Sequence, residues 1–125
     1  MARKPKSKSG FGKWTDGLDP KKVDEALEEA TVDAHDEDER HSGLLYAVQD
    51  ELSFPFRGRV LGEEVDVVDM AWPEDDEFGL DLVCERGGQR HRVEARSVEL
   101  IPPLPDGHLY LAAYLEWKRM VGDEG

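Results

Sequence analysis

Two proline breaks divide this chain into stretches of different hydrophobic period. The first, Phe54-Pro55, must end a helical pattern, because proline lacks an amide hydrogen and pushes the residue before it out of the helical region. The second, Pro102-Pro103-Leu104-Pro105, can be neither an internal strand nor a helix. Between them, from Phe56 to Leu100, the apolar residues recur mostly at every second position, with β-branched enrichment and glycine punctuation. That pattern predicts a small sheet, with strands near Phe56–Leu61, Glu64–Ala71, Leu80–Cys84, Gln89–Glu94 and Val98–Leu100. Arg86-Gly87-Gly88 supplies a tight hairpin, since glycine enters the positive-φ region that such turns require. Short meandering strands with small connections imply an α+β chain. The architecture expected is a small SH3-like antiparallel β-barrel or a bent sheet, flanked by helices.

The flanks supply those helices. Asp19-Pro20 is a helix start, an N-cap acid followed by proline at the first helical position, and Val23, Ala26, Leu27 and Ala30 repeat at helical spacing over about 20–31. Leu44, Leu45, Val48 and Leu52 share one face of a second helix over about 36–52. After the proline run, Asp106 is a plausible N-cap for a helix over about 107–121. Its stripe of Tyr110, Tyr114, Trp117 and Val121 should pack on the sheet.

A length of 125 residues fits one domain, placed at 14–125, preceded by a disordered basic tail at 1–13. That tail carries Arg3, Lys4, Lys6, Lys8 and Lys13 and no acid, so removing its five charges from a net −13 leaves −18 on the remainder. Such a field repels nucleic-acid phosphates and anionic lipid and favours cations or a basic protein partner. Arg86, Arg90, Arg92 and Arg96 gather around one hairpin, but Glu85, Glu94 and Glu99 offset them. Nothing resembles a signal segment or an apolar membrane span. The single cysteine, Cys84, rules out an internal disulfide, reads as a buried strand residue, and suits a cytoplasmic protein.

No phosphate-binding glycine loop, nucleophile elbow, H-E-x-x-H or C-x-x-C is present, and His35, His41, His91 and His108 are scattered through different elements, so the chain does not read as an enzyme. Carboxylates are the chemistry on offer. Calcium is a hard cation that takes about six to eight oxygen ligands. Two acidic stretches qualify. Asp33 to Glu39 opens the second helix, where acids also complement the helix dipole and so need no ion. The other, from Asp69 to Gly79, joins two strands, and a loop can wrap Asp69, Glu74, Asp75, Asp76 and Glu77 around one point. It is no EF-hand: counting from Glu74, the fifth position is Phe78 and the ninth Leu82. A solvated acidic turn that guards the sheet accounts for the same residues equally well.

Across residues 42–121, four features occur together: the L-x-F-P-F junction in SGLLYAVQDELSFPF, the G-x-x-V-x-V strand in VLGEEVDVV, the C-x-R-G hairpin at Cys84, and the run PPLPDGHLYLAAYLEW. In these the chain resembles the cyanobacterial calcium-binding protein family over about two thirds of its length. The resemblance implies a small barrel with helices that binds Ca²⁺ through surface acids without an EF-hand, as a buffer or sensor, with no catalysis. It also implies core or turn roles for Phe54, Pro55, Phe56, Val65, Val67, Cys84, Gly87, Gly107 and Trp117, and it transfers no ligand positions. The alternative is an acidic interaction or regulatory module without metal, docking a basic protein.

Overall fold

The structure is a computed structural model that describes residues 14–74 and 78–122; the basic segment 1–13 lies outside them. Helices α1 (Pro20–Ala30) and α2 (Glu37–Glu51) precede strands β1 (Phe56–Val60), β2 (Glu63–Ala71), β3 (Asp81–Arg86) and β4 (Gln89–Glu94). A short 3-10 turn at Ala95–Ser97, strand β5 (Glu99–Leu100) and helix α3 (His108–Gly122) follow. The strands form one sheet in the order β4-β3-β2-β1-β5, and all four pairings are antiparallel. Of the two architectures expected, the sheet is the one formed and the barrel is not. Closure requires the edge strands β4 and β5 to pair, and β5 runs for only two residues after the 3-10 turn has diverted the chain. A bulge in β2 between Val67 and Asp69 adds local twist and bend.

Both hairpins at one end of the sheet are two-residue turns with positive φ at both positions. Arg86 pairs with Gln89 around Gly87 (φ 61°) and Gly88 (φ 82°), as the sequence implies. Val60 pairs with Glu63 around Leu61 (φ 52°) and Gly62 (φ 82°). Leu61 is therefore a turn residue rather than the strand end expected.

The helix starts follow from local polar groups. Asp19 accepts from the Lys21 amide, and Asp36 from the Glu39 amide, while Glu39 Oε1 returns to the His35 amide in a variant of the capping box. At α3 the residue directly before the helix is Gly107, not Asp106. Gly107 has φ +86°, and a Cβ there would collide with the Glu51 carbonyl, so glycine alone lets the chain cross the end of α2. Asp106 instead offers its backbone carbonyl to the Ser53 amide at 3.0 Å.

Helix α3 is the centre of the helical layer rather than a lid. Leu111, Ala112, Ala113, Tyr114 and Leu115 are all buried, a run that no one-sided helix shows, because α1 and α2 both pack on it. Trp117 is 3% exposed. Phe56, Val65, Val67, Leu82 and Cys84 carry the core into the sheet, and burial pushes the Cys84 thiol pKa up.

Candidate functional site

The connection from β2 to β3 leaves the sheet with Trp72 and returns through Phe78 and Gly79. Both stems are fastened to the helical layer. On the outgoing side, the Trp72 indole donates to Gln49 Oε1 at 3.3 Å and meets the Tyr46 ring edge-on at 5.1 Å. The Trp72 carbonyl accepts from the Arg92 guanidinium at 2.9 Å, and Arg92 also pairs with Asp81 at 3.3 Å. On the returning side, the Tyr114 hydroxyl donates to the Phe78 carbonyl at 3.0 Å and His41 Nε2 lies 2.7 Å from the Gly79 carbonyl. A carbonyl only accepts, so Nε2 carries the proton.

His41 is the hub of this arrangement. It is buried on α2, stacked on Trp117 at 5.8 Å and contacted edge-on by Phe78 at 5.7 Å and Trp72 at 6.1 Å. Trp117 in turn donates from Nε1 to Glu37 Oε1 at 2.9 Å, which ties the start of α2 to α3. The two stems are thus joined to α2 and α3 through one aromatic cluster around His41.

The candidate ligands fall around this cluster as follows. Asp69 lies on β2 beside the bulge, exposed, in register with Val83 and, one strand further, Arg92; its Oδ1 accepts from the Met70 amide at 2.8 Å. Glu74 is exposed at the outgoing stem. Asp75, Asp76 and Glu77 lie outside the described residues. Of the competing stretch, Asp36 is occupied as the α2 N-cap, and Asp38 is exposed in the first turn of α2, three residues before His41. Among the described residues, no three His, Cys, Asp or Glu side chains come together to hold a metal ion. A site built here on Asp69 and Glu74 therefore needs oxygens from the acids at 75–77.

The comparisons with known proteins bear on this geometry. No family profile matches the chain, and no curated protein matches its sequence significantly. Among solved structures, the crystal structure of Anabaena CcbP is similar at a TM-score of 0.65 and 26% identity, over 79% of this chain and 89% of that one. The fold of this chain is similar to that of CcbP. A calcium-binding protein solved in its calcium-binding form is similar at a TM-score of 0.62 and 23% identity, over 90% of this chain and 97% of that one. The resemblance to the cyanobacterial calcium-binding proteins, carried in the sequence by scaffold motifs, is thus present in the CcbP-like fold itself.

Reading the sequence passed over His41, Tyr114 and Gln49 as parts of the site. His41 looked like one of several scattered histidines because its partners lie far along the chain. The signal that was available is the bracketing of the acidic run by Trp72 and Phe78, since large aromatics at both ends of a polar loop need something to pack on.

Proposed function

We propose that this chain binds calcium through the carboxylates of the β2–β3 connection, Asp69, Glu74, Asp75, Asp76 and Glu77, and acts as a buffer or sensor without catalysis. The observation that carries the reading is that both stems of an acid-rich connection are fastened, through Trp72 on one side and through Phe78 and Gly79 on the other. Carboxylates at four consecutive positions, 74–77, repel one another, and a cation relieves that repulsion. The similarity to a protein solved in its calcium-binding form supports the same reading.

The residues present suit a hard cation: they offer oxygen and no sulfur or imidazole. The carbonyls of Trp72, Phe78 and Gly79 are each engaged by a side-chain donor. Carboxylates suit either hard divalent cation, and several of them on one connection favour the larger and more flexible shell of calcium over that of magnesium. Calcium titration by calorimetry at physiological salt, repeated with magnesium as competitor, tests the reading. Saturable heat with calcium that survives millimolar magnesium is expected; no heat with calcium would overturn it.

A second reading, docking of a basic partner, is favoured by one feature. Tyr46 and Trp72 form an exposed edge-to-face pair beside the acidic loop, and such a pair can receive a lysine or arginine side chain. The same calorimeter separates the two readings, because a docking module without metal gives no calcium heat.

A further inference from the structure

We infer that the groove between the two hairpins is a self-association surface, in which Leu61 of each copy of this chain enters the groove of a second copy. The inference does not depend on the calcium reading. A groove of about 560 Å³ opens between β1–β2 and β3–β4, floored by Val60, Val65, Cys84 and Val93. Val65 and Cys84 belong to the core, so here the core reaches the surface. Leu61 stands on the rim, 97% exposed at φ 52°. A leucine there is unfavourable twice over, for its left-handed backbone and for the apolar surface it leaves in water, and asparagine would relieve both. Strain kept at an exposed apolar residue points to a contact outside the single chain.

The charge distribution selects the occupant. Residues 19–51 carry twelve acids and three bases, and the whole chain a net −13, so two copies repel across their helical surfaces. The hairpin segments 57–66 and 85–91 carry four acids and four bases. Each of those bases is paired within the same segments: Arg57 and Arg59 with Glu64, Arg86 with Glu63, and Arg90 with Glu85. A neutral rim gives a basic or an acidic partner no electrostatic preference, yet it lets a second acidic copy approach without repulsion. The leucine and the groove lie side by side. A two-fold axis between them sets each Leu61 over the other copy's groove, and the contact closes at two copies instead of growing into a fibre. Two leucines in two small grooves bury little beside a standard interface, so the dimer is weak, with a dissociation constant of about 10–500 µM.

The test is sedimentation equilibrium of the full-length protein from about 10 µM to 1 mM, at physiological salt with a chelator present so that calcium plays no part. The average mass should rise from that of one chain toward that of two. Leu61→Asn removes the inserted side chain and suits the turn, so it keeps its fold, which the melting midpoint of a dilute sample checks. His91→Trp, at an exposed strand position lining the groove, fills it from the receiving side. Each is expected to weaken dimerisation at least about tenfold. Val32→Ser removes another side chain that is 75% exposed, in the α1–α2 connection, and should leave dimerisation unchanged. A parent that stays single up to about 1 mM overturns the inference. If that single chain takes up an apolar dye that Leu61→Asn and His91→Trp exclude, the groove belongs to a small apolar ligand instead of a second copy. Dimerisation undiminished in Leu61→Asn also overturns it, as does an equal loss in Val32→Ser, which is general stickiness. A loss in Leu61→Asn with none in a folded His91→Trp means that the leucine docks elsewhere, and overturns the groove.

Discussion

At the helix-covered end of the sheet, the β2–β3 connection is fastened by buried donors and stacked rings, with His41 and Tyr114 on its carbonyls and Trp117 behind them. At the opposite end, the two hairpins carry exposed ion pairs instead: Arg86 with Glu63 at 2.8 Å, and Arg57 with Glu64 at 2.8 Å and Asp66 at 3.1 Å. The pairs are as short as the buried bonds. Their worth differs, because an exposed pair nets about 0–1 kcal/mol after screening and side-chain entropy, whereas a buried carbonyl left without its donor costs about 1–3 kcal/mol. One end of the sheet is therefore built to hold a shape, and the other to stay soluble.

The largest test of that contrast removes a ring of the aromatic cluster. Trp117→Ala is expected to destabilise the protein by about 3–5 kcal/mol in urea denaturation, since the ring is buried and backs both His41 and Phe78. A loss under about 1 kcal/mol would mean that the aromatic cluster does not hold the two stems.

The second test addresses the loop's charge. With calcium at a hundred times its dissociation constant, the parent should gain about 2.7 kcal/mol. Changing Asp75 and Asp76 together to Asn should remove most of that gain while raising stability without calcium, because crowded acids no longer repel. The matching change at Asp36 and Asp38 should keep most of it, since asparagine still caps α2. Calcium stabilisation that survives the first pair and vanishes with the second would move the site to the start of α2.

How much of this was legible in the sequence differs between the same two ends. The hairpin at Gly87-Gly88 announced itself because glycine at both positions names the turn, and the proline breaks announced where helices stop. The helix and strand spans followed from local period, which is a property of neighbours in sequence. The joining of the stems to the helices did not follow, because His41 and Gly79, or Tyr114 and Phe78, are brought together only by the packing of α2 and α3 against the sheet. The choice between barrel and bent sheet stayed open in the sequence, since a strand expected over Val98–Leu100 and observed over Glu99–Leu100 is short in either case and closure depends on whether it meets β4.

A smaller effect belongs to the solvated end. Leu61 sits at φ 52° and is 97% exposed, so it bears the cost of a left-handed conformation and recovers nothing by burial. Leu61→Asn creates Asn-Gly, the preferred pair for this turn, and should stabilise by roughly 0.5–1 kcal/mol in urea denaturation. Destabilisation would show that Leu61 makes a contact in solution that its exposure does not reveal.

The smallest effect at neutral pH sharpens the comparison from within the helical layer. Tyr110 on α3 donates to Glu29 on α1 at 2.8 Å, joining two helices as Tyr114 joins a helix to the loop, but here the bond is exposed. If burial rather than location decides a bond's worth, Tyr110→Phe should change stability by less than about 1 kcal/mol near pH 7. Its consequence appears only in alkali. The hydrogen bond to the Glu29 carboxylate, with lesser contributions from desolvation and the nearby charges of Glu29 and Glu51, raises the Tyr110 phenol from 10.0 to about 12. A group whose folded value is raised stabilises fully below its unfolded value and loses that contribution as pH rises through the folded one. The parent should therefore lose stability more steeply than Tyr110→Phe between pH 10 and about 12, so that the gap between their urea midpoints closes across that window. A gap that stays constant from pH 7 to pH 12 would mean that the phenol and Glu29 do not meet in solution, and the α1–α3 seam would then rest on its apolar contacts alone.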